Sequence, residues 1–163
     1  MNKIIKWGFI GCGEATEKKS GPAFNCVKES TVVAVMGRDK EKTKAYAKRN
    51  RISKWYTDAQ ELIDDPEVNA VYIATPPSSH ATFAIMSMKA GKPVYVEKPL
   101  AASYQDCQRV MRVSEETGMQ DMLALRQKGH RFPDTSLVPD AGFPCVRGEK
   151  CILRINARSP KLT

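Results

Sequence analysis

The chain has 163 residues, of which 42% are hydrophobic and 27% charged, and a formal net charge of +8. This length fits one domain of the usual ~100–200 residues, and the balance is that of a packed globular chain. No apolar run approaches the roughly 18 residues of a membrane span, and the N-terminus lacks the long apolar stretch and small-residue cleavage site of a secretion signal. A cytoplasmic location without membrane association is the expectation. Five cysteines, Cys12, Cys26, Cys107, Cys145 and Cys151, are odd in number and widely spaced, which fits neither a disulfide framework nor a zinc site. Residues 126–163 carry eight Lys/Arg against three Asp/Glu, so net +5 of the charge belongs to the tail. The tail has only Phe132 and Phe143 as aromatics and no reader motif, so no nucleic-acid partner is expected.

Residues 4–10 form a short apolar run that predicts a first strand, closed by Gly11-Cys12-Gly13. A polar stretch over 14–20 follows. Gly21-Pro22 then suits a helix start, with Pro22 at the first helical position and Phe24 and Val27 as its apolar face. Residues 31–36 are apolar almost throughout, as in a strand covered on both faces. Asp39 caps a helix to about Arg49, with Thr43, Tyr46 and Ala47 on one side. Trp55-Tyr56 is a short strand, and Asp58 with Glu61 starts a helix to about Asp64.

Residues 70–74 predict a fourth strand, closed by Thr75-Pro76-Pro77. Ser78 or Ser79 is expected to cap the next helix, which stops at Gly91 in the left-handed position past its end. Residues 94–96 form a fifth strand. Ser103 caps a last helix whose face is Cys107, Val110, Met111 and Ser114, and Gly118 ends it. Residues 121–125 suit a sixth strand. Beyond it periodicity fades, four of the ten prolines punctuate the chain, and residues 151–155 are a weak strand candidate.

Alternating strands and helices imply a parallel sheet with helices on both faces, a three-layer, doubly wound α/β fold. Right-handed crossovers bring the strand ends to one edge. That edge gathers Gly11-Cys12-Gly13, Gly37-Arg38, Thr75-Pro76 and Glu97-Lys98-Pro99, which is where such folds bind ligands.

Each turn suits a dinucleotide. The first glycine permits the tight turn, and the second lets a pyrophosphate approach free N–H groups. Thr16 stands where a third small residue is usual, after Ala15, so the loop before the first helix is longer than usual. Lys18, Lys19, Thr16 or Ser20 can then reach phosphate. At position 37 there is no carboxylate to hold the ribose hydroxyls of NAD, whereas Arg38 can pair with a 2′-phosphate. This favours NADP, with NAD the alternative if Asp39 selects instead. Lys98 closes the fifth strand as a candidate proton donor or relay, against the alternative of a plain lysine at a turn.

Together, Gly-Cys-Gly after a strand, Val-Ala-Val-Met-Gly-Arg-Asp, Thr75-Pro76 with His80, and Ala-Gly-Lys-Pro followed by Glu97-Lys98-Pro99 resemble the Gfo/Idh/MocA (glucose–fructose oxidoreductase / inositol dehydrogenase) family over about residues 3–118. The resemblance implies a Rossmann domain that binds NAD(P). In complete family members a second domain follows, and hydride moves between cofactor and a sugar, polyol or related carbonyl compound. It implies Lys98 as the catalytic residue. It also implies Gly11, Cys12, Gly13, Ala15, Thr16, Gly37, Arg38, Thr75, Pro76, His80, Glu97 and Lys98 along the cofactor, with no metal. For His80 a structural role at the helix start is the alternative.

No family motif is legible after Gly118. Residues 1–118 are expected to be the dinucleotide-binding domain, and 119–163 an atypical basic tail arising from truncation or a frameshift. The partners expected are therefore a nicotinamide dinucleotide, and a sugar or polyol only where a second domain is supplied. An uncovered face would favour self-association into a homo-oligomer. The competing reading is a nucleotide-binding module without turnover that acts through a partner.

Overall fold

The computed structural model describes residues 4–118, 121–123, 125–126 and 151–152. The apolar runs become strands β1 (Ile5–Ile10), β2 (Ser30–Met36), β3 (Lys54–Tyr56), β4 (Ala70–Ile73), β5 (Val94–Val96) and β6 (Asp121–Leu123). They form one sheet in the order β3-β2-β1-β4-β5-β6, with every pairing parallel. The chain reverses its direction of growth between β1 and β4, and a crevice opens at such a switch point, beyond the strand C-termini. β7 (Leu125–Arg126) and β8 (Cys151–Ile152) pair antiparallel as a separate ribbon. The rest of the expected basic tail lies outside the described residues.

The helices are α1 (Gly21–Cys26), α2 (Lys40–Arg49), α3 (Ala59–Asp64), α4 (Pro77–Lys89) and α5 (Tyr104–Thr117). Three start as their sequences predict. Asp39 accepts a hydrogen bond from the Lys42 N–H, Asp58 from those of Gln60 and Glu61, and Ser103 from that of Asp106. Each satisfies donors that the first helical turn leaves without partners.

α4 departs from expectation. Neither Ser78 nor Ser79 caps it: the helix begins at Pro77 behind Pro76, with no side-chain cap. Proline at the first position has no N–H to satisfy. Ser79 instead donates to Thr75 Oγ1 and the Pro76 carbonyl, at 2.8 and 2.9 Å. In α5, Val110 is buried as expected, but Met111 is 48% exposed, and Val113 packs against the core in its place. The polar stretch after Gly13 is wound into a π-helical turn, Ala15–Lys19, that leads into α1.

Two unlike cores lie on the two faces of the sheet. α3, α4 and α5 cover an aliphatic core that includes Ile10, Leu62, Ile63, Ile73, Val94 and Val96. α1 and α2 cover an aromatic one built on Trp7, Phe9, Phe24, Tyr46 and Tyr72. Each large apolar side chain so buried contributes roughly 1.5–3 kcal/mol. Among the described residues no helix is long and apolar enough to cross a membrane.

Candidate functional site

The turn after β1 passes under the turn after β4. Gly11 has φ +113°, and a Cβ there would lie 2.7 Å from the Ala74 carbonyl oxygen, so only glycine fits. Gly13 is exposed, and a Cβ on it would meet nothing within 4 Å, which leaves its backbone open to a ligand. Between this turn, the end of β2 and the β4–α4 turn lies a groove of about 580 Å³. Of the residues predicted for the site, Gly11, Cys12, Gly13, Gly37, Arg38, Thr75 and Pro76 line it. Lys42, Ser78, Ser79 and Phe83 line it too, although the sequence did not single them out for this role.

The end of β2 is crowded below and open above. A Cβ on buried Gly37 would collide with Cys12 Sγ and Thr43 Oγ1. A side chain at 37 would therefore have to displace those of Cys12 and Thr43. Arg38 is exposed beside the groove. Asp39 is occupied: Oδ1 accepts from the Lys42 backbone N–H at 3.0 Å, and Oδ2 lies 3.5 Å from Lys42 Nζ. The Lys42 backbone N–H, with the Lys42 ammonium, holds its carboxyl below the usual carboxylate range.

The π-helical turn is tied down by its own side chains. Thr16 is buried, and its hydroxyl donates to the Gly13 carbonyl at 2.8 Å, so it shapes the glycine turn from beneath. Glu17 pairs with Arg49 of α2 at 2.8 Å, and Lys18 with Glu14 at 3.1 Å. Ala15 opens the turn and Lys19 is exposed at its end. Ser20 faces Tyr72, its Oγ 2.5 Å from the phenol oxygen.

At the end of β5, Glu97 extends the ladder by donating its N–H to the Ile73 carbonyl at 2.9 Å. Its Oε1 accepts from the Tyr72 hydroxyl at 2.6 Å. Burial pushes the Tyr72 phenol far above its ordinary value, and the Glu97 carboxylate adds to the shift, so the phenol keeps its proton and donates. Lys98 is exposed, and its peptide bond to Pro99 is cis.

His80 lies beneath the groove, 1% exposed. Its Nδ1 is 2.8 Å from the Pro99 carbonyl oxygen, and its Nε2 is 2.6 Å from that of Thr75. The ring therefore sits between two site turns, within hydrogen-bond distance of a carbonyl oxygen on each. Tyr72 went unnoticed in the sequence because an aromatic within an apolar strand reads as core, and no local signal gives its hydroxyl a partner 25 residues away.

A parallel sheet of this order, a glycine turn open to a ligand at its switch point and a groove along the neighbouring strand ends define a dinucleotide-binding Rossmann domain. The groove fits the group: Gly13 leaves room for phosphate, and Arg38 stands at its rim. The model of the oxidoreductase family with an NAD-binding Rossmann fold, Gfo/Idh/MocA, matches residues 5–124, and the chain belongs to that family as its NAD(P)-binding domain.

The match crosses β6, which falls within the sixth strand expected over residues 121–125, beyond the Gly118 at which the sequence motifs stop. Oxidoreductase P35 of Formosa agariphila is 50% identical over 100 residues, which cover 61% of this chain and 31% of that protein. A 1,5-anhydro-D-fructose reductase of Ensifer adhaerens is 33% identical over 70% of this chain and 34% of its own. A 3-ketoreductase of Actinomadura kijaniata, solved with NADP and TDP-benzene, superposes with a TM-score of 0.69 at 28% identity, over 73% of this chain and 36% of that one. The chain spans about a third of the length of the curated relatives it matches.

Proposed function

We propose that this domain binds NADP(H) in preference to NAD(H), and that it serves hydride transfer to or from a sugar, polyol or related carbonyl compound when joined to a substrate-binding domain. The carrying observation is the end of β2, where Gly37 carries no carboxylate and is packed against Cys12 and Thr43, Asp39 is spent on its helix and Arg38 faces the groove. A guanidinium there pairs with a 2′-phosphate through two parallel hydrogen bonds.

In this reading Gly11, Cys12, Gly13, Ala15 and Thr16 form the pyrophosphate turn. Thr75 and Pro76 run along the dinucleotide, and His80 holds their turn. The bound nicotinamide supplies or accepts the hydride. Lys98, at the next strand end, exchanges a proton with the substrate oxygen through Nζ, and Glu97 beside it orders the nicotinamide side. The names of the relatives, an anhydrofructose reductase and a 3-ketoreductase solved with NADP, support the substrate class and the cofactor. The reading carries a cytoplasmic location with it, where a reduced nicotinamide pool is at hand.

Titration with NADPH and NADH, followed by nicotinamide fluorescence, tests the cofactor assignment. NADPH binding should saturate and weaken about tenfold in Arg38→Ala, with NADH binding little changed. Equal loss for both cofactors, or no loss for either, would remove Arg38 from the 2′-phosphate role. Absence of binding to the unaltered chain would overturn the reading.

A further inference from the structure

Tyr72 is fully buried in β4, yet its hydroxyl reaches the edge of the sheet that carries the groove. The ring is boxed in: Phe9, Phe24 and Tyr95 lie at centroid distances of 4.9, 4.8 and 5.3 Å, with Tyr95 stacked on it. A ring so confined cannot swing, and its oxygen occupies one place.

The hydrogen bonds at that oxygen have a fixed direction. An ionised carboxylate only accepts, so the single phenolic proton goes to Glu97, and the Ser20 hydroxyl donates to the phenol oxygen. Ser20 immediately precedes α1 and follows the π-helical turn, and Glu97 immediately precedes Lys98. One buried hydroxyl therefore joins the segment behind the glycine turn to the turn bearing the candidate proton donor.

Phenylalanine would fill the same space. Burying a hydroxyl costs free energy unless it is bonded, so the hydroxyl has to be accounted for by what it holds. Bonds in a chain also polarise and strengthen one another, and bonds to a carboxylate are the strong kind.

We infer that Tyr72 is a positioning residue, which fixes Glu97 and through it the Lys98 turn, and which sets that turn in register with the glycine-turn segment through Ser20. The inference rests on the reading that Lys98 faces the reacting end of the cofactor. It adds that the two ends of the dinucleotide site are placed as one unit by a residue that touches neither ligand nor groove.

The test uses the full chain with Tyr72→Phe and Ser20→Ala (which opens the other end of the hydrogen-bond chain without touching the core). Amide hydrogen exchange of residues 97–101 is read alongside titration with NADPH and with 2′-phospho-ADP-ribose, which lacks the nicotinamide. In Tyr72→Phe, exchange at Glu97, Lys98 and Leu100 should rise about tenfold while β1 and β2 stay unchanged. NADPH affinity should fall about tenfold and 2′-phospho-ADP-ribose affinity less than about twofold. Ser20→Ala should move both readouts the same way by less.

Unchanged exchange at the turn in both Tyr72→Phe and Ser20→Ala would overturn the inference. So would equal weakening of the two ligands, which marks general loosening. Turn exchange that rises as expected in a chain that binds neither ligand would instead overturn the cofactor reading and leave the tie between Tyr72 and Glu97 standing.

Discussion

The two edges of the sheet use their polar side chains in opposite ways. At the edge where the strands begin, Asp65 is buried, and its carboxylate accepts two bonds from Lys54, one from the Tyr56 hydroxyl and one from the Glu67 N–H, all at 2.8–2.9 Å. Lys92 donates to the Asp65 carbonyl, and Asn69 bridges the backbone of Lys6 and Ile4. At the edge where the strands end, Arg38 and Lys98 stand exposed, Gly13 is open, and the buried polar groups hold turns in place. One edge satisfies itself and supplies stability, and the other keeps donors and cations turned outward for a ligand.

The contrast can be sharpened by substitution. Asp65→Ala should have the largest effect, a loss of about 3 kcal/mol in urea unfolding, because it removes a buried carboxylate with four bonds, frees the Glu67 N–H and the Tyr56 hydroxyl, and leaves Lys54 with Glu67 alone. Cofactor binding to the folded variant should not change. Asp65 also gives this edge a pH signature. Burial alone would raise its carboxyl, but the Glu67 N–H, Lys54 and Tyr56 outweigh that and hold it below the ordinary 3.8. Its contribution is therefore complete above that value and is lost as pH falls through the lower, folded one. Asp65→Asn should flatten the acid limb of the stability profile.

Gly11→Ala should come next, and it breaks the division between the edges. It belongs to the ligand edge yet should cost about 2 kcal/mol, because the methyl group meets the Ala74 carbonyl at a positive φ. Calorimetric titration should show binding lost as well. Asn69→Ala should cost about 1 kcal/mol, because it releases the half-buried Lys6 N–H and the exposed Ile4 carbonyl. Lys98→Ala should stay within about 0.5 kcal/mol of the unaltered chain in the same unfolding assay, as expected of an exposed residue with no structural duty.

The fold was legible because its punctuation is local. Glycine after β1, Thr75-Pro76 after β4 and the acidic or hydroxyl caps at Asp39, Asp58 and Ser103 each act within a few residues, and periodicity does the rest. The groove was legible because parallel topology alone sends those turns to one edge. What escaped the sequence depends on strand order. The partners of Tyr72 are 52 and 25 residues away, and those of Asp65 come from β3 and its flanks. Such pairings exist only once β1, β4 and β5 lie side by side. The uncapped start of α4 was misread for a nearer reason: it follows from backbone geometry at Pro76-Pro77 that the usual capping preference of serine does not reveal.

The packing beneath Gly37 also constrains how this domain can evolve. A lineage that gained by switching cofactors would need an acidic side chain at the end of β2, but Cys12 and Thr43 fill the space its first carbon would take. The Cys12 and Thr43 side chains must both turn aside or shrink, or the strand end must shift, for that change to be tolerated. A thiol and a hydroxyl beneath the groove thus bear on which residue can stand at the end of β2, beside Arg38.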